Sequence, residues 1–460
     1  MSAPPRVALL VHNRFEDDPR VSRQARTLEA MGVRPAVLCA GVPAGAEGWR
    51  WGARVGGVDL FERAAQLTVL GRLRRRVRAV QAKRRSLARK IGEKTPESAK
   101  YRAESTAPEE PTLREGRGAA ADLWHFVRFL YGNLAVIRQF RGVGARIIHA
   151  NDLDVLPAAY LLARAWHAVL VYDSHELWVE QDLPWSPFYR RLLGMMEGLL
   201  IRKASAVVTV NGAIAGELAR RYKIARPVVV MNCPEAPSLA AVDTHRYSDP
   251  SLPLQVIYQG LLSPNRGLEQ LVDAVAEAPG IMLTLRGPGI LRGPLQDRID
   301  RLGLGEQVRL LPPVPMVDLV PALAGFSVGV VPILPVGKSY ELCSPNKLFE
   351  YMCAGLAVIC SDLPVMREVV GEAESGLLVP PGDVAAMART LSRFAADRPL
   401  LLRLRENALR AARDRFNAEH EQAKLRALYE RLLDDDSGAG VRRGRERRSN
   451  SVRHSWGHRP

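Results

Sequence analysis

The 460-residue chain has five cysteines, Cys39, Cys233, Cys343, Cys353 and Cys360, and no two of them form a C-x-x-C pair. That scarcity excludes a disulfide framework, and their mostly apolar surroundings read as those of reduced core residues in a cytosolic protein. No run of about 18 apolar residues occurs, and the first ten residues lack a basic region ahead of an apolar stretch of signal length. Neither membrane spanning nor secretion is therefore expected. H-E-x-x-H is absent, the nine histidines do not cluster with cysteine, and no G-x-S-x-G elbow occurs. A zinc site and a serine hydrolase are both unsupported. Aromatic residues make up only 6% of the chain and do not interleave with the basic ones, so a nucleic-acid surface is not expected.

What is abundant is positive charge. The formal net charge of +16 exceeds what a globular enzyme needs and points to an anionic partner. Eleven of the basic residues fall in Gly71–Lys94 against one acid, Glu93, and a polar, Pro-containing stretch follows to Gly118. Leu70, Leu73, Val77, Val80, Leu87 and Ile91 recur there at roughly helical spacing. Two readings stand for this insertion: a basic amphipathic helix on an anionic membrane surface, or a solvated charged helix. The tail 436–460 lacks an apolar stripe and is expected to be disordered.

The remainder alternates between buried strands and helices. Strands are expected at Arg6–His12, Pro35–Ala40, Arg146–Ala150, Val169–Asp173, Ala206–Val210 and Pro227–Asn232, completing a first α/β domain over 1–235. After a linker at 236–253, strands at Leu254–Gln259, Ile281–Arg286, Val308–Leu311, Ser327–Pro332, Leu356–Cys360 and Gly376–Val379 build a second domain over 254–415. A terminal helix is expected over 416–435. The spacing thus predicts two doubly wound Rossmann-like domains facing across a cleft.

Ser339–Asp362 (SYELCSPNKLFEYMCAGLAVICSD) is the most informative segment. Leu348, Phe349, Met352 and Leu356 recur at helical spacing, Pro345 suits the first helical position, and Gly355 suits the helix end. The free N–H groups and positive dipole end near Ser344, Pro345, Asn346 and Lys347 suit a phosphate; Lys347 adds a full charge, and Glu350 lies one turn on. Arg266 opens another helix close to a strand end, and Gly260 and Gly287 let backbone approach a nucleotide. In the first half, His149, Asn151 and Asp152 leave one strand end, and Asp173, His175 and Glu176 leave the next, where open α/β sheets bind ligands. Asp173 has a second reading as a helix cap.

SPNKLFEYMCAGLAVICSD resembles the nucleotide-sugar site of family 4 retaining glycosyltransferases. VHNRFEDDPRVSRQARTLEAMG, IIHANDLDVLPAA, VLVYDSHELWVEQ, SAVVTVN, VIYQGLLSPNRGLEQLVDAV and GLLVPPGD agree in order over most of Arg6 to about Phe416. The pattern departs at Leu342, where relatives carry a Glu (Glu341 is one place off), at Arg266 in place of a Lys, at Ala357 in place of Pro, and at Asn151 in a usual His-x-His. The resemblance implies a GT-B fold and metal-independent, cofactor-free transfer of a sugar, with retention, from a nucleotide-diphosphate sugar to a glycan or lipid-linked acceptor of cell-envelope polysaccharide. It further implies His149, Arg266 and Lys347 as catalytic residues; donor contacts from Gly260, Gly287, Ser344, Pro345, Asn346, Lys347 and Glu350; and acceptor contacts from Asn151, Asp152, His175 and Glu176. No divalent metal is expected. Placement is expected to be cytoplasmic, at the inner face of the membrane where the acceptor is lipid-borne. A GT-B-type sugar-nucleotide epimerase and a non-enzymatic basic membrane-surface protein are the alternatives.

Overall fold

A computed structural model describes residues 7–12, 19–39, 49–51, 59–63, 119–183, 185–236, 249 and 251–434. The basic insertion 71–118, most of the linker and the tail 436–460 lie outside the described residues.

Two sheets form, each from the apolar runs read above. The first has the order β3-β4-β2-β1-β5-β6-β7-β8: β1 is Val7–Val11, β2 Pro35–Cys39, β3 Trp49–Trp51, β4 Asp59–Arg63, β5 Ile147–Asn151, β6 Val169–Ser174, β7 Ala206–Thr209 and β8 Val228–Val229. All neighbours are parallel except the β3–β4 pair. The second sheet, order β11-β10-β9-β12-β13-β14, is wholly parallel: β9 Leu254–Gln259, β10 Ile281–Arg286, β11 Val308–Leu311, β12 Val328–Val331, β13 Ala357–Ser361 and β14 Gly376–Val379. Strand order reverses between β1 and β5 in one sheet and between β9 and β12 in the other. These switch points open a crevice at the strand carboxyl ends.

Helices cover both faces of the first sheet, so β1, β2 and β5 are buried on both sides and read as unbroken apolar runs. Ala8, Leu10 and Ile148 pack on one face beneath helices Ala119–Phe140, Leu156–Trp166 and Pro187–Ile201. Val7, Leu9 and Ile147 pack on the other against Val21, Ala25 and Leu28 of helix Pro19–Ala30, and against Leu425, Leu428, Tyr429 and Leu432. Those last four residues belong to the helix at 418–434. The expected terminal helix therefore exists, but it crosses back from the second domain to complete the core of the first.

The helix carrying Lys347 and Glu350 runs Asn346–Cys353, and Gly355 follows it with φ +67°. Pro345 takes the N-cap rather than the expected first helical position: its ψ of 126° is extended, and the helix begins one residue later. The strand expected from Leu356 likewise begins at Ala357. Tyr351 locks this helix to the sheet. Its hydroxyl accepts the Gln259 backbone N–H at 2.8 Å, and its ring lies on Gly329 of β12, where a Cβ would sit 2.2 Å from the ring. Replacing Gly329 with alanine is expected to cost about 3 kcal/mol through overpacking. Thermal melting reads that loss, and nucleotide affinity falls with it because the helix bearing Lys347 is displaced.

Candidate active site

The second domain builds a cationic pocket floor at its switch point. Gly260 directly follows β9 and Gly287 directly follows β10, with φ of 141° and 148°. A Cβ on Gly287 would lie 1.9 Å from the Gly260 carbonyl oxygen, and one on Gly260 would lie 2.8 Å from Lys347 Nζ. Only glycine allows the two strand ends and the lysine to meet there. Lys347 Nζ stands 4.0 Å from the Tyr258 ring centroid and the Arg266 guanidinium 5.2 Å from that of Tyr340, so aromatic faces hold both cations in place. Among the described residues neither cation forms an ion pair with a carboxylate. Burial, and then Arg266, push the Lys347 amine down to about 7. Burial raises Glu350, with Lys347 and Gln259 drawing it partly back. Ser344 Oγ, just ahead of the helix, is buried without a hydrogen-bond partner.

The first domain contributes a buried ionic hub. Asp173, at the end of β6, accepts through Oδ2 from Gln24 Nε2 at 2.8 Å, with His175 Nε2 at 3.2 Å and His149 Nε2 at 3.3 Å. His175 Nδ1 lies 3.0 Å from Asp152 Oδ2, and Arg20 approaches the same carboxylate at 4.0 Å. Burial opposes a cation at His175, but Asp152 and Asp173 overcome it and raise the imidazole to about 10. Burial also works against the Asp173 carboxylate, yet His175 and His149 hold it well below the usual range. His175 is thus a fixed imidazolium, and Asp173 is a hub rather than a helix cap. Asp152 reaches it from φ +70°, a left-handed position whose amide donates to the Asp173 carbonyl at 2.9 Å.

Two expectations about this edge are corrected. His149 does not face the cleft: it is fully buried, and its Nδ1 accepts from Tyr429 Oη at 2.8 Å while Nε2 serves Asp173. Asn151 is also buried, and its side-chain amide donates to the Leu10 carbonyl at 3.3 Å. Both face inward because β5 is central and covered on each side. Asp152 and Glu176 are the residues of this group that reach the crevice. Glu176 accepts from Gln181 at 2.6 Å and lies 3.5 Å from Ser339 Oγ of the second domain. Burial raises its carboxyl, with Asp152 adding to the effect.

The domains meet along this line. Asn265 Nδ2 donates to Asp182 at 2.5 Å, and Asn211 Nδ2 donates to the Leu342 carbonyl at 2.9 Å. Leu342 packs into the core of the first domain, and Glu341 pairs with Lys338 at 3.2 Å on a short helix. Position 342 accordingly serves as an interdomain contact. Arg20, Gln24 and Tyr429 were missed as contributors, although the first two lie in the quoted DPRVSRQ segment.

A strand-switch crevice between two mainly parallel sheets, cationic on one side and holding an ionic hub on the other, defines a two-domain α/β protein of the GT-B architecture. The group 1 glycosyl transferase model matches residues 253–397, and the glycosyl transferase 4-like domain matches residues 95–234. The chain belongs to the group 1, family 4 glycosyltransferases. It is 28% identical to the D-inositol 3-phosphate glycosyltransferase of Streptomyces avermitilis over 58% of its length and 61% of that protein's. Identity is also 28% to the lipopolysaccharide core biosynthesis glycosyltransferase LpsE of Rhizobium meliloti, over 42% of this chain and 54% of the relative. The chain thus spans little more than half the length of these curated relatives. Sucrose-phosphate synthase from Thermosynechococcus elongatus superposes with a TM-score of 0.67 at 18% identity, covering 94% of this chain and all of the other. Anabaena HepE in complex with UDP and glucose gives 0.60 at 16% identity, over 93% and 99% of the two chains.

Proposed function

We propose that the protein transfers a sugar, with retention and without a metal, from a nucleotide-diphosphate sugar to a glycoconjugate acceptor of the cell envelope. The observation that carries this is the pair of cations, Lys347 and Arg266, held on aromatic faces beside the head of helix Asn346–Cys353. A diphosphate there meets two full charges and unpaired backbone donors. As the bond from the anomeric carbon to the diphosphate oxygen breaks, those groups stabilise the departing charge. The acceptor oxygen forms its bond to the same face of that carbon, and its proton passes to the leaving diphosphate. Gly260 and Gly287 admit the donor, Ser344, Pro345 and Asn346 present the helix head, and Glu350 orients sugar or ribose hydroxyls. Asp152 and Glu176 face the acceptor, with His175 holding Asp152. Glycoconjugate relatives such as LpsE support the acceptor class, and the net charge supports action at the anionic cytosolic face of a membrane.

A thermal-shift screen of nucleoside diphosphates tests the donor half. One of them is expected to raise the melting temperature, Arg266→Ala to remove most of that rise, and Arg266→Lys to restore part of it. An undiminished shift in the alanine variant places Arg266 outside the site. With a sugar on the winning nucleotide, free diphosphate is expected to appear with acceptor; release without any acceptor supports the epimerase reading instead.

A further inference from the structure

Helix Ala119–Phe140 buries one side against helices Leu156–Trp166 and Pro187–Ile201 and leaves a second apolar stripe uncovered by the described residues. Leu123, Trp124, Val127, Leu130, Tyr131 and Leu134 are between 37% and 59% exposed and recur at helical spacing. Helix Pro187–Ile201 packs beside it and exposes Phe188, Met195 and Leu199, the last at 66%. Such a face is larger than the scattered apolar residues of an ordinary surface.

Its charges identify the occupant. Arg128, Arg138, Arg141, Arg191, Arg202 and Lys203 on or just beyond these helices are exposed. The two carboxylates of the same segments are both buried and engaged: Asp122 accepts from Ser186, and Glu197 accepts from Tyr172 and Tyr222 at 2.8 and 2.6 Å. Among the described residues, every exposed charge of these two helices and their C-terminal ends is therefore positive. The same face of a second copy carries the same positive charges and is repelled from it. An anionic bilayer satisfies both features, since apolar side chains with Trp and Tyr seat in the headgroup region and Arg and Lys meet lipid phosphates.

We propose that this two-helix face docks the protein on an anionic lipid surface. The helices begin beside the crevice: Ser186 joins their N-terminal ends, and Asp182, four residues earlier, contacts Asn265 of the second domain. Docking thus brings the crevice mouth to the lipid headgroups. The inference deepens the membrane-face reading above but is tested without reference to sugar transfer.

Co-sedimentation with vesicles of equal parts phosphatidylglycerol and phosphatidylcholine, and with phosphatidylcholine alone, tests it. Wild type is expected to bind the anionic vesicles, and Trp124→Glu/Leu134→Glu/Leu199→Glu to bind roughly 100-fold more weakly. The melting temperature and the nucleotide shift of the variant stay unchanged; Leu134→Ser/Leu199→Ser, a milder pair, is expected to bind at an intermediate level. A chain lacking 71–118 is expected to retain binding that the triple substitution abolishes. Unchanged vesicle binding by the triple variant overturns the proposal. So does loss of all binding on removal of 71–118, or a wild-type dimer that the triple substitution dissociates and that binds no vesicle.

Discussion

Lys347→Ala is expected to lower kcat/KM about a thousandfold, the scale on which removing one preorganised charge from a developing anion acts. Melting temperature changes little, because the ammonium makes no ion pair among the described residues and Tyr351, not Lys347, anchors the helix. Lys347 also imposes a pH dependence. Its amine lies near 7 in the free protein, and a bound diphosphate stabilises the ammonium and raises that value. Below pH 7 the cation is already formed, so this group makes binding independent of pH. Above it, binding must take up a proton, and affinity falls by up to about tenfold per pH unit until the bound value is reached. Titration calorimetry of a nucleotide sugar, whose diphosphate does not itself titrate here, in buffers of different ionisation enthalpy measures the uptake. Full turnover by the alanine variant, or the same uptake by Lys347→Met, removes Lys347 from the donor site.

Asp173→Ala is expected to be the most destabilising of these changes, by about 3 to 5 kcal/mol, because it leaves the buried imidazolium of His175 and the donors of Gln24 and His149 without their acceptor. The pH course follows from two opposite shifts. The Asp173 carboxyl is depressed by folding, so its contribution is present above the unfolded value of 3.8 and is lost as pH falls further. His175 is raised, so its contribution is complete below the unfolded value of 6.5 and fades as pH rises toward about 10. The stability gap between wild type and variant is therefore widest between about pH 4 and 6.5 and narrows above. Denaturant titrations at about pH 5, inside that window, and at about pH 7 and 9, above it, read the gap; a constant difference disproves the ionic hub.

Most strands and the donor helix were legible because a doubly wound sheet writes each interior strand as a short β-branched run ended by glycine or a helix cap. Leu254–Gln259, Ile281–Arg286, Val308–Leu311 and Gly376–Val379 end where the pattern places them. The direction of His149 was not legible. A strand covered on both faces has no polar side to reveal its alternation, so a buried histidine and a cleft histidine look alike until its partners are known. Asp173 was visible as a strand-end carboxylate, but its donors come from Gln24 and Tyr429-bound His149, residues distant along the chain. Helix Ala119–Phe140 was overlooked for a related reason: with apolar residues on its outward as well as its inward side, it shows no clean amphipathic stripe.

The return of helix 418–434 to the first sheet has a consequence for synthesis. Leu425, Leu428 and Tyr429 close the core begun by Val7 and Leu9, so the amino-terminal domain is discontinuous in the chain. On the ribosome its sheet can gather strands β1 to β8 early, but the face on which helix Pro19–Ala30 packs stays only partly covered while the whole second domain is made. Only when the last helix emerges does Tyr429 reach His149 and shut that face. The newly made protein thus carries an unfinished apolar surface through most of translation, a period in which chaperones and nascent neighbours compete for it.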